Sequence, residues 1–385
     1  MTTQRLHIGL AVFADIESGL DLANALANEG HKVTLYLSHK VVFSTFGGPE
    51  PLERRISELG MLPPHCEARI FHFPRLRDLR SYKVVEEIIR CMEIDQIDLA
   101  HIFAGPAEVW LAVLAFRLQK IPVVSTLIHP IPDVGEARPY LIDRVINKLV
   151  VYSSDMIIVN GLYLVDIVKN EYHLQDDRLT YIPLCPRYTV TKWSHQNQVE
   201  KPGTVLFFGR ALPHKGLEYL IKAQPLITAI APEVRFLVAV HGNDMKSYRQ
   251  LIRNPNYFII REGFIPGPEM AEIYEQSSLV VLPYLSAATS GVLMDAYMFG
   301  KPVVATCVGS LPEYVQDGIT GYLVPPRDPT SLAQAIVRLI QDEQLRASMG
   351  QNAREWINKV GKTIAAQHNR VYQALIKSYT KRRKT

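Results

Sequence analysis

The chain has 385 residues, 48% of them hydrophobic and 21% charged, with a formal net charge of +4 at pH 7. That length exceeds the roughly 250–300 residues at which one hydrophobic core stops growing, so two domains are expected. So mild a charge does not point to nucleic acid, and no run approaches the roughly 18 apolar residues of a membrane span. The four cysteines, Cys66, Cys91, Cys185 and Cys307, form no Cys-x-x-Cys pair, which argues against a metal site or a disulfide framework and fits a reducing cytoplasm. The apolar run from Ile8 to Phe13 is too short for a signal-peptide core. Basic residues gather at Arg75, Arg77, Arg80 and Lys83, and again at Lys377 with Lys381-Arg-Arg-Lys384. Each cluster reads as a solvated surface or as a contact for anionic lipid or an acidic substrate, which leaves peripheral membrane contact open.

In chain order, His7 to Phe13 reads as a buried strand. Leu20, Leu22, Ala23, Leu26 and Ala27 form a helical stripe that Gly30 stops, and Lys32 to Leu37 is the next strand. The pattern returns as the strand Leu99 to Phe103, a helix around Val109 to Gln119 and the strand Pro122 to Leu127. Connections this short between buried runs predict a parallel sheet, which places ligands beyond the carboxyl ends of its strands. Asp15 and Glu17 follow the first strand, and His129 follows the strand ending at Leu127. On position alone His129 is either a hydrogen-bonded structural residue or a catalytic one. Met156 to Val159, with Asn160 at its end, and Tyr181 to Leu184 complete this half, and the polar segment 187–202 reads as a linker.

Thr204 to Phe208 opens a second sheet. It is followed by Gly209-Arg-Ala-Leu-Pro-His-Lys-Gly216 and a helix carrying Leu217, Leu220, Ile221 and Ala223. A glycine turn with Arg210 and Lys215 flanking a helix entrance suits a diphosphate, although the same residues also fit a solvated loop. Neither a Walker loop nor a Gly-x-Gly-x-x-Gly fingerprint is present. Strands at Phe236 to Val240 and Tyr257 to Ile260 follow, then Gly263-Phe-Ile265 and a helix with Met270, Ile273 and Tyr274. Leu279 to Leu282 and Pro302 to Ala305 are buried strands bracketing a loop and a helix. At that helix start Thr289, Ser290 and Gly291 either cap the first turn or admit an anion, glycine allowing close approach. A helical stripe at Leu332, Ala335, Ile336, Leu339 and Ile340 precedes two closing helices, around Leu345 to Val360 and Ile364 to Tyr379.

Several runs then stand in a telling order. They are Phe208-Gly-Arg210 with His214-Lys-Gly216, Gly263-Phe-Ile265, Leu282-Pro-Tyr284, Met294-Asp-Ala296, Phe299-Gly-Lys-Pro-Val-Val-Ala-Thr306, Gly309-Ser-Leu-Pro-Glu313 and Asp317-Gly-Ile-Thr-Gly-Tyr-Leu-Val324. Together they resemble the retaining nucleotide-sugar glycosyltransferases of family 4. The resemblance implies the α/β GT-B fold, two facing Rossmann-like domains with a donor and acceptor cleft. It implies domains at 1–186 and 203–360, a linker at 187–202, and a helix at 361–385 crossing back to the first domain. It assigns Gly209, Arg210, Lys215 and the backbone at Ser290, Gly291 and Val292 to the donor diphosphate, and Gly263, Phe264 and Ile265 to the nucleobase. His129 matches a histidine near the transferred sugar, and Asp15 and Glu17 fall on the acceptor side.

The implied reaction moves a sugar from a nucleotide-diphosphate sugar to a hydroxyl of a sugar, polysaccharide or lipid-linked acceptor, with retention and without a metal or other cofactor. The departure lies in a signature pair of glutamates seven residues apart. Asp295 matches the second, which contacts the ribose, one methylene shorter, but Ala287 stands at the first. A charged acceptor is worth roughly 1.5–3 kcal/mol, so the usual sugar contact must be made otherwise, with Thr289 or Ser290 as candidates. A non-catalytic nucleotide- or glycan-binding homologue on the same fold is the competing reading.

Overall fold

The computed structural model describes residues 4–13, 15–40, 42, 62, 65–74, 78–104, 109–118, 120–130, 140–194, 199–241 and 245–382. Arg75, Arg77, Arg383 and Lys384 of the basic clusters lie outside them. The chain divides into two compact units. One comprises Met1–Pro132, Arg138–Cys185 and Val360–Thr385, and the other is built on Pro186–Lys359.

In the first unit the described strands are β1 (His7–Val12), β2 (Lys32–Ser38), β3 (Cys66–Phe71), β4 (Leu99–Ala104), β5 (Val123–Leu127), β6 (Met156–Val159) and β7 (Leu179–Tyr181). They form one parallel sheet in the order β3-β2-β1-β4-β5-β6-β7. Strand order turns at β1 and β4, with Ile8 opposite both Val33 and Leu99, so the carboxyl ends of β1 and β4 flank this unit's switch point. The apolar runs that predicted these strands are buried because helices cover both faces. The last strand ends earlier than expected. Ile182 N–H still reaches Val159 O at 3.1 Å, but Pro183 has no N–H to continue the ladder.

The two helices expected at the end of the chain are one continuous helix, Glu343–Arg382. Gly361 in its interior costs only about 1 kcal/mol, too little by itself to break a helix of 40 residues. Its later turns belong to the first unit, where Tyr372 Oη is hydrogen-bonded to His101 Nδ1 at 2.7 Å and His101 Nε2 to Thr126 Oγ1 at 2.8 Å.

The second unit holds β8 (Thr204–Gly209), β9 (Arg235–Val240), β10 (Phe258–Glu262), β11 (Leu279–Leu282), β12 (Val303–Thr306) and β13 (Gly321–Val324). The sheet is parallel in the order β10-β9-β8-β11-β12-β13, so its switch point lies between β8 and β11. Val205, Phe207, Val238, Val281, Val304 and Ile336 share its core. The segment expected as a linker is packed onto this unit. Its short 3-10 helix, Tyr188–Trp193, buries Trp193 against Gly267, where any Cβ would collide with the indole. Glu200 pairs with both Lys301 (3.2 Å) and Arg346 (3.1 Å), tying the same segment to the unit.

Candidate active site

β8 and β11 are neighbours, so the loops leaving their carboxyl ends meet. After β8, Gly209 takes φ 109° and a Cβ built on it lies 3.6 Å from Val292 Cγ2, which puts the turn beside the start of the Gly291–Met298 helix. Gly216 comes so near Pro283 O that a side chain there has no room, and Leu285 N–H donates to His214 O at 2.7 Å. This pins the Arg210 to Gly216 loop to the segment following β11. Lys215 Nζ lies 3.9 Å from the centre of the Tyr284 ring, and Tyr284 Oη is 3.4 Å from Ser290 Oγ. A cation over an aromatic face is attracted by the ring, which orders its stem. Gly209, Arg210, Lys215, Ser290, Gly291 and Val292, 83 residues apart from end to end, therefore share one corner of the unit.

The Gly291–Met298 helix opens with Ser290 as its cap, Oγ accepting from Leu293 N–H at 3.3 Å. Its ladder begins with Met294 N–H to Ser290 O, so Gly291 and Val292 N–H belong to the first turn, where the helix dipole favours an anion. Thr289 is buried beside the cap. Ala287 is also inside, 3% exposed, and its carbonyl accepts from Ser310 N–H at 3.2 Å while Gly309 packs against it with φ 53°. The loop where the resemblance places a glutamate is thus closed around an alanine.

Asp295, which the resemblance brings to the ribose, lies inside the unit. Its side chain is 1% exposed, and Oδ2 accepts from Arg187 Nη1 at 2.8 Å inside the unit. Tyr274, fully buried next to it, has its hydroxyl pKa pushed well up, first by burial and then by the Asp295 charge. A Cβ built on Gly291 would lie 2.9 Å from Arg187 Nη1. The space that glycine leaves is filled by the protein's own guanidinium.

On the neighbouring strands, His241 N–H bonds to Gly209 O and Gly263 N–H to Val240 O, carrying the line of strand ends to Gly263, Phe264 and Ile265. Arg261 braces this turn, donating to Glu262 O and to Phe264 O and pairing with Glu269. Phe264 stands 40% exposed, an aromatic face of the kind on which a base stacks.

The other expected residues lie in the first unit. Asp15, at φ 29°, caps the Ile16–Asn28 helix, accepting from Ser18 N–H at 3.4 Å and Ser18 Oγ at 2.6 Å, and Glu17 stands in its first turn. His129 follows β5, half-buried, with its carbonyl held by Asn147 Nδ2 at 3.2 Å. Asn160 is engaged locally, donating to Ile182 O at 2.9 Å. Arg187, Tyr274 and Arg261 were not singled out from the sequence. Arg187 pairs across 108 positions, which no local spacing reveals, whereas Arg261 was within reach as the cation two residues before Gly263.

A family model described as glycosyl transferases group 1 matches residues 202–342, and one described as glycosyltransferase family 4 matches residues 19–185. N-acetyl-alpha-D-glucosaminyl L-malate synthase of Bacillus anthracis is 33% identical, over 97% of this chain and 98% of its own. D-inositol 3-phosphate glycosyltransferase of Corynebacterium aurimucosum is 27% identical, over 69% of this chain and 68% of its own. Among solved structures, sucrose-phosphate synthase from Thermosynechococcus elongatus matches with a TM-score of 0.72 at 20% identity, covering 97% of this chain and 100% of that one. Anabaena HepE in complex with UDP and glucose matches with a TM-score of 0.70 at 18% identity, covering 96% and 100%. These two likenesses bear on the fold, which is GT-B. No helix among the described residues is long and apolar enough to cross a membrane. Taken with the parallel sheets and the strand-end loops, the matches show that the chain belongs to the group 1, family 4 glycosyltransferases.

Proposed function

We propose that this enzyme transfers a sugar from a nucleotide-diphosphate sugar to an acceptor hydroxyl with retention at the anomeric carbon, and that its own cations do the work a metal does elsewhere. The observation that carries the reading is the gathering of Gly209, Arg210, Lys215 and the start of the Gly291–Met298 helix at the β8/β11 switch point. Negative charge grows on the leaving diphosphate as the glycosidic bond breaks. Positive groups already fixed at that place stabilise the transition state more than the bound substrate. Arg210 and Lys215 supply the charge, and Gly291 and Val292 N–H supply oriented dipoles.

The base stacks on Phe264 beside Gly263 and Ile265. His129 attends the transferred sugar, with Asp15 and Glu17 on the acceptor side. A phosphate oxygen of the departing diphosphate accepts the acceptor's proton on the face from which it leaves, which gives retention. UDP-glucose is the first donor to try, because the Anabaena neighbour's structures hold UDP and UDP-glucose. L-malate and inositol 3-phosphate, from the names of the relatives, are the first acceptors.

The test is thermal melting with UDP, GDP and ADP and their sugars, on the wild type and on an Arg210→Ala, Lys215→Ala double variant. A ligand at about a hundred times its Kd adds roughly 2.7 kcal/mol, which a melt resolves. One nucleotide series should stabilise the wild type and fail on the variant. Equal stabilisation of both would place the donor elsewhere. Turnover that persists in EDTA and an unchanged anomeric configuration by NMR are expected, and loss of either overturns that part of the reading.

A further inference from the structure

We propose that Arg187 is a positioning residue of the donor site, held by Asp295 over the first turn of the Gly291–Met298 helix, and that Asp295 acts through Arg187 rather than on the ribose. This deepens the donor reading above and rests on it.

Gly291 and Asp295 stand four residues apart, on one face of the helix. The Arg187 side chain lies along that face. Nη1 is 2.8 Å from Asp295 Oδ2, and a Cβ on Gly291 would sit 2.9 Å from Nη1 and 3.6 Å from Cζ. Gly291 is not among the positive-φ residues, so the backbone does not demand glycine there. What demands it is the guanidinium. Both charges are withdrawn from solvent, with side chains 13% and 1% exposed, so each depends on the other. At 1% exposure the carboxylate presents almost no surface that a ribose hydroxyl could reach. In turn, Arg187, packed against Gly291, positions the first turn, whose Gly291 and Val292 N–H groups face the donor phosphates. The phosphates then meet the helix from the side where Gly209 adjoins Val292.

The test is a cycle of Gly291→Ala and Arg187→Ala, read by the Kd of UDP in titration calorimetry and by Tm. Alone, Gly291→Ala pushes the guanidinium aside and should raise the Kd several-fold, with kcat falling while KM for the acceptor holds. In the Arg187→Ala background the added methyl no longer meets the guanidinium and should change Kd less than twofold. Arg187→Lys, which can still reach Asp295, should recover part of the loss. A second pair of measurements compares UDP with 2′-deoxy-UDP on the wild type and on an Arg187→Gln, Asp295→Asn double variant, which removes both buried charges together and so strands neither. The ratio of the two Kd values should be the same in both proteins. Equal damage by Gly291→Ala in both backgrounds would show that the glycine serves the ligand directly and would overturn the proposal. So would loss of the 2′-deoxy discrimination in the double variant. If the wild type binds no nucleotide diphosphate, the donor reading fails and takes the positioning role with it. Coupling of the two substitutions in Tm would still be seen, and that tells this failure from the others.

Discussion

Gly216→Ala is the sharpest probe of how the Arg210 to Gly216 loop is held. Gly216 has φ 66°, and a Cβ built on it lies 1.9 Å from Pro283 O and 2.9 Å from Pro283 C. Left-handed backbone costs a non-glycine residue roughly 1–2 kcal/mol. The Pro283 carbonyl, a backbone group, must also retreat by more than about 1 Å before the contact reaches 3.0 Å, the closest that real Cβ contacts come. That retreat pulls Leu285 N–H from His214 O, and a buried group left unpaired costs about 1–3 kcal/mol. The sum is roughly 2–5 kcal/mol. At about 2–4 °C per kcal/mol for a unit of this size, Tm should fall by something like 5–15 °C. Gly318→Ala is the control, because Gly318 has φ 74° but nothing within 4 Å of its built Cβ, so only the backbone term of about 1–2 kcal/mol remains. Donor affinity should fall with Gly216→Ala and hold with Gly318→Ala. Equal Tm shifts for the two variants would refute the contact between the loop and Pro283.

Three further outcomes follow from the packing. His101 and His368 have lowered pKa values, His368 to about 4 by burial and His101 by burial and then by the His368 charge. The unfolded chain therefore binds protons that the fold refuses between about pH 6.5 and pH 4. Stability contributed by these groups falls as pH drops through that window, by up to about 1.4 kcal/mol per pH unit for each. Urea midpoints at pH 7 and pH 5 should separate more in the wild type than in His368→Gln, and equal separation would contradict the account. Glu200→Ala leaves Lys301 and Arg346 buried without their shared carboxylate, and chemical denaturation should show a loss of roughly 2–4 kcal/mol. No loss would mean that water already satisfies both cations. Phe264→Ala should raise the Kd of the accepted nucleotide by about tenfold, since stacking on one aromatic side chain is worth roughly 1–3 kcal/mol per base, while leaving Tm unchanged. Unchanged affinity would move the base away from this turn.

Where a feature is local it could be read from the residues alone. β8, its glycine turn and the Arg210 to Gly216 loop announce themselves because an apolar run, a turn residue and a helix stripe sit side by side. The same holds for β11, the Ser290 cap and β12. β3 gives a weak signal in the residues, since Glu67 and Arg69 interrupt its apolar pattern and the partner of Arg69, Asp95, stands 26 residues on. The Ser81–Ile94 helix was also passed over, although Val85, Ile88 and Met92 are its buried stripe, because its neighbourhood was read for basic charge. The joining of the two closing helices turns on one glycine, whose cost of about 1 kcal/mol is too small to end a helix of 40 residues. Arg187 shows the limit most clearly. In the sequence it is one cation in a polar stretch, and its contacts appear only when the fold brings it against Gly291 and Asp295.

The most direct test of the central claim is release of nucleotide diphosphate from a panel of nucleotide sugars with acceptor present, for the wild type, Arg210→Ala and Lys215→Ala. The geometry predicts turnover with one nucleotide series and a fall in kcat of about 10²–10³ for each variant, the usual loss when one preorganised positive group is removed from a developing anion. Wild-type turnover that both variants retain in full would contradict it.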